Sequence, residues 1–119
     1  MKKSLIIGSV VAALAFATPA LAHHSAAQFD FTKPTTVEGI VKVYEVNNPH
    51  SKLVLEVTDA KGTREITFEG HSRNNVYRQG WRPDLVKVGD HLKIRIAPTR
   101  NGEDGGYVVG VTTDDGHTY

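Results

Sequence analysis

Residues 53–69 read LVLEVTDAKGTREITFE, and their alternation decides the fold. Leu53, Leu55 and Val57 fall on one face of an extended chain, because side chains of a strand alternate with a period of two. Ile66 and Phe68 do the same after the break, with Glu65, Thr67 and Glu69 on the opposite side. Between them, Asp59-Ala60-Lys61-Gly62 has the composition of a tight hairpin turn. Two half-buried antiparallel strands, 53–57 and 64–69, are therefore expected.

Upstream, residues 37–46 (VEGIVKVYEV) are rich in β-branched side chains and predict a long strand. Gly39 within it predicts a bend, and the step from Val41 and Val43 to Tyr44 and Val46 changes face as a bulge would. Downstream, Ser72 can cap a short helix over 73–79 that stops at Gly80. Trp81 and Leu85 are expected to pack under an end of the sheet. Leu92, Ile94 and Ile96 mark a fourth strand and residues 107–113 a fifth. A polar, Gly-rich loop at 98–106 joins them and is expected to be mobile. Three strands, a short helix and two more strands is the plan of an all-β, five-stranded OB-fold-like barrel. A small open sandwich has the same strand count.

The start of the chain is of another kind. Lys2 and Lys3 precede an apolar run from Leu5 to Ala17, and Ala20-Leu21-Ala22 supplies small residues for cleavage. This is the pattern of a secretory signal peptide over residues 1–22. The apolar run is shorter than the roughly 20 residues of a spanning helix. Processing after Ala22, a periplasmic location and no stable membrane insertion of the mature chain are expected. The remaining regions are a histidine-bearing arm (23–36), the barrel (37–113) and a polar tail (114–119). Phe29 and Phe31 are the arm's candidate anchors.

The 119 residues carry 14 Lys and Arg against 13 Asp and Glu. Removing Lys2 and Lys3 leaves 12 against 13, a net charge of −1. Nucleic-acid binding needs a clustered positive surface, so this balance argues against it. There is no cysteine, hence no disulfide framework and no thiolate ligand. No triad or carboxylate pair can be argued from spacing, and the chain is expected not to be an enzyme.

The chemistry lies in the histidines. Cleavage after Ala22 would make His23 the first residue, with a free α-amine beside its imidazole. Amine and Nδ1 can close a six-membered chelate ring on one metal ion. His50, held after Asn47-Asn48-Pro49, is the candidate third nitrogen, and His24 competes for that place. All-nitrogen ligation in a flat arrangement suits Cu(II). The set resembles the histidine brace of copper proteins, including lytic polysaccharide monooxygenases and some periplasmic copper carriers. Glu45, Asp30 and Glu38 are candidate acceptors for an imidazole N–H. His71, His91 and His117 are read as surface or locally bonded residues.

Two functions of different class follow. One is a periplasmic Cu(II)-binding protein, a carrier or buffer, using His23, His50 and His24. The other is a non-catalytic OB module without metal, binding a periplasmic protein or small ligand through the barrel face or the Arg73–Arg82 region. Ala22-His23-His24-Ser25, Phe29-Asp30, Asn48-Pro49-His50, Gly80-Trp81 and Val88-Gly89-Asp90 also resemble the signature of a family of small exported bacterial proteins, a domain of unknown function. The resemblance covers nearly all of the mature chain. It implies export and a small β domain, and no particular activity.

Overall fold

A computed structural model describes residues 26–119. The element order is β1 (Thr35–Glu45), β2 (Ser51–Asp59), β3 (Gly62–Gly70), α1 (Arg73–Arg78), β4 (His91–Pro98) and β5 (Gly106–Thr113). The strands close into a barrel in the order β1-β2-β3-β5-β4, all neighbours antiparallel except β3 and β5. The all-β, five-stranded barrel with a short helix after β3 is thus the observed architecture. Closure removes the exposed edges that an open sandwich would leave.

The expected inward faces form the core. Leu53, Leu55, Val57, Ile66, Phe68, Leu92, Ile94 and Ile96 are buried together with Val41, Val86 and Val111. Burying each such side chain contributes about 1.5–3 kcal/mol. A smaller cluster of Val46, Val76 and Trp81 closes one end, with Tyr44 and Tyr119 packed on it. Leu85 packs against the main core instead.

Strand β1 serves two neighbours, pairing with β4 from Thr35 to Ile40 and with β2 from Ile40 to Glu45. Gly39 sits at this hand-over because the strands approach closely there. A Cβ at residue 39 would stand 2.6 Å from the Glu56 carbonyl oxygen. The register shift between Val41 and Val43 is the expected bulge. Ser72 caps α1, its hydroxyl accepting from Asn75 N–H at 3.3 Å.

Some boundaries differ from the sequence reading. Strand β1 begins at Thr35, two residues inside the arm, and β2 and β3 extend the hairpin beyond 53–57 and 64–69 at both ends. The segment 114–119 is more than a polar tail. Val111 N–H donates to Tyr119 C=O at 2.8 Å and Tyr119 N–H to Val111 C=O at 3.0 Å. That turn brings the Tyr119 hydroxyl within 3.0 Å of the Tyr44 hydroxyl. Burial pushes both phenols above their ordinary pKa. The Gly-rich loop after β4 is tethered as well, because Arg64 bonds Asp104 from β3 at 2.5 and 2.9 Å and Asp59 at 2.8 and 3.1 Å.

Candidate functional site

The β2–β3 hairpin builds the site. Its ladder runs from Asp59 opposite Gly62 back to Ser51 opposite Gly70. Ser51 N–H also donates to the His71 carbonyl at 3.2 Å. His50 and His71 therefore flank the last rung, one on each side of the hairpin. Ser51 and Gly70 are buried, so the neighbouring residues His50, Lys52, Glu69 and His71 lie on the outer face of the alternating strands.

His50 Nδ1 stands 3.5 Å from Glu69 Oε1. The nitrogen is shielded from solvent and lacks a hydrogen-bond partner among the described residues. His71 Nδ1 lies 3.1 Å from the Tyr107 hydroxyl, and the two rings meet edge to face with centroids 5.0 Å apart. Tyr107 reaches this place because β5 runs parallel to β3, with Tyr107 opposite Glu69. Burial lowers the His71 pKa, with His50 adding to the effect, so its imidazole is neutral at pH 7. Burial and the Glu69 carboxylate raise that of Tyr107, which keeps the phenol protonated. Each imidazole therefore turns Nδ1 toward a protein group and has Nε2 as its remaining donor atom.

The arm docks on the same end. Asp30 N–H donates to Pro98 C=O at 2.8 Å, Arg100 N–H to Gln28 C=O at 2.8 Å, and Arg100 Nε to Ala27 C=O at 3.1 Å. Phe29 is 5% exposed, with its ring centroid 5.7 Å from that of Tyr107, and Phe31 is 5.5 Å from the same ring. Phe31 remains half exposed, so Phe29 is the principal anchor.

The sequence-predicted ligands divide at this point. His50 lies in the cluster, whereas His23, His24 and the leader 1–22 lie outside the described residues. Among the described residues, no three His, Asp or Glu side chains form a group able to hold a metal ion. The acceptor beside His50 is Glu69, and none of the three carboxylates expected for that role. Glu45 is exposed opposite Lys52. Asp30 accepts from the backbone N–H of Thr32 at 3.0 Å and its hydroxyl at 2.6 Å. Glu38 stands 3.5 Å from His91 Nε2 and 3.4 Å from Lys93. His91 is a partly exposed residue whose Nδ1 lies 2.7 Å from Asp114, and His117 stands 3.5 Å from Asp115. Of the basic group near α1, Arg73 donates to Val46 C=O at 3.0 Å. Arg82 donates to the carbonyls of Tyr77 and Trp81, and its guanidinium lies 5.3 Å from the Tyr77 ring centroid.

A partly open cavity of about 20 Å³, lined by His71, Tyr44, Ser51 and Tyr119, has room for about one water. Beside Glu69, a more open groove of about 460 Å³ runs between Phe29 and the loop after β4.

Fold and site together define a small all-β barrel with two histidines flanking the last rung of a hairpin. Residues 10–108 match a family of unknown function (DUF6152), and the chain belongs to it. No curated protein matches the chain.

Proposed function

We propose that the mature chain is an exported copper-binding protein of carrier or buffer type, in which a processed His23 joins His50 in one Cu(II) site. One observation carries this reading: Phe29 anchors the arm on Tyr107, at the barrel end where His50 and His71 flank the last rung of the hairpin. The ring centroids of Phe29 and Tyr107 are 5.7 Å apart and those of Tyr107 and His71 5.0 Å, so the arm's anchor sits beside the two histidines of the hairpin end.

The donor chemistry fits the metal. His50 Nδ1 is shielded and without a hydrogen-bond partner among the described residues, with the Glu69 carboxylate 3.5 Å away as the nearest group that could take its N–H while Nε2 ligates. Amine and imidazole nitrogens in a plane favour Cu(II) over harder divalent ions. Binding requires an unprotonated amine and neutral imidazoles, so affinity falls as pH falls.

The test is Cu(II) titration of protein beginning at His23, beside the same protein with one Met placed before it. The extension converts the amine into an amide and should abolish tight binding. Equal binding by both forms would reject the site and leave the arm as a structural strap on a binding module.

A further inference from the structure

We propose that the cavity bordered by Ser51, Tyr44 and Tyr119 is the binding site of one ordered water molecule, which fastens the 114–119 segment to the end of the β2–β3 hairpin. The site is independent of the copper reading. Two residues create it. Ser51 stands at the inward position next in the period from Val57, Leu55 and Leu53, and Gly70 stands opposite it. The inward pair before it is Leu53 opposite Phe68. A serine facing a glycine leaves space where a leucine facing a phenylalanine fills it. The surrounding walls are apolar, with Leu53 from β2, Val76 from α1 and Val111 from β5.

The hydroxyls on those walls carry the argument. Ser51 is 4% exposed, and its Oγ is shielded from solvent and has no hydrogen-bond partner among the described residues. A buried hydroxyl left in that condition destabilises the fold. The Tyr44 and Tyr119 hydroxyls meet at 3.0 Å, and that bond uses only one of their two protons. Burial keeps both phenols protonated, so the phenol that accepts retains a proton to donate. His71 also borders the cavity, but its Nδ1 already faces the Tyr107 hydroxyl.

A water answers both needs at once. It accepts the remaining phenol proton and bonds Ser51 Oγ, within the two to four partners that buried waters make. The volume of about 20 Å³ suits one such molecule. Ser51 belongs to the hairpin end, where its N–H donates to His71 C=O, and Tyr119 to a turn bonded to Val111. Tyr44 lies on β1. One molecule bonded among these hydroxyls therefore joins segments distant in the chain.

A high-resolution crystal structure of the protein tests the site directly. One density peak is expected in the cavity, within about 3.2 Å of Ser51 Oγ and of the Tyr44 or Tyr119 hydroxyl. Lack of such a peak, or Ser51 Oγ bonded directly to a phenol, overturns the proposal. Denaturant melts of Ser51→Ala give a second readout. Losing a satisfied hydroxyl should lower the folding equilibrium constant about 5-fold, the worth of one net hydrogen bond. An unchanged or raised constant would mark the hydroxyl as unsatisfied in the folded state and overturn the proposal as well.

Discussion

The Tyr107 hydroxyl lies 3.1 Å from Nδ1 of His71, joining the start of β5 to the residue that follows β3 across the one parallel contact of the barrel. Two residues distant in the chain are brought together only when the barrel closes. The consequences can be measured in the absence of metal.

Burial and the neighbouring His50 hold the His71 pKa below its ordinary value. Between that lowered value and about 6.5, the unfolded chain binds more protons than the folded one, so stability falls as pH falls. Denaturant melts of the metal-free protein from pH 7.5 to 5 should show this slope. His71→Gln should flatten it, with Tyr107, His50 and Glu69 left in place around the site. An unchanged slope in the variant would place the titrating group elsewhere.

His91 behaves with the opposite sign. The bond to Asp114 is the chief cause raising its pKa, and Glu38 adds to it. Its contribution is fully present below about pH 6.5 and is lost as pH rises through the raised folded value. The pair is largely solvent-exposed, so screening limits the effect to a few tenths of a kcal/mol. His91→Ala should therefore lower stability slightly at pH 6 and leave it unchanged at pH 9, read by the same melts.

Much of the barrel is legible in the sequence because its strands are half-buried and alternate cleanly. Leu53, Leu55, Val57, Ile66 and Phe68 can be placed from period alone, and Gly39 marks the hand-over of β1 because only a glycine tolerates the Glu56 carbonyl there. The pairing of His50 with His71 is also implicit in the turn. Asp59 opposite Gly62, counted back along the hairpin, brings Ser51 to Gly70. Ending the strands at Leu53 and Glu69, where the apolar alternation stops, conceals it. Ser51 is a polar residue buried by the closed barrel, and no local pattern announces that. Glu69 and Tyr107 are less legible still, since their pairing depends on a parallel contact between non-consecutive strands. Tyr119 in the polar segment is placed against both cores by its bonds to Val111.

Phe29 lies outside the barrel core but is nearly buried against Tyr107. Phe29→Ala should leave the barrel folded and release the arm. We expect a stability loss of about 3 kcal/mol at most, the scale of a buried aromatic truncation. Cu(II) binding should weaken by about 10-fold or more, because an untethered arm presents His23 at lower effective concentration. Hydrogen exchange at Asp30 and Arg100, whose amides bond Pro98 and Gln28, checks the release. Copper titration checks the coupling. Release of the arm with unchanged copper affinity would separate arm docking from metal binding.

The most direct test of the account is to locate the metal. One equivalent of Cu(II), added to ¹⁵N-labelled protein beginning at His23, broadens the amide resonances of residues near the ion. The account predicts selective loss around Ser51, Gly70, His71 and Tyr107, with His91 and Asp114 at the far end of β4 unaffected. Broadening centred on His91 and Asp114, or spread evenly over the barrel, would contradict it.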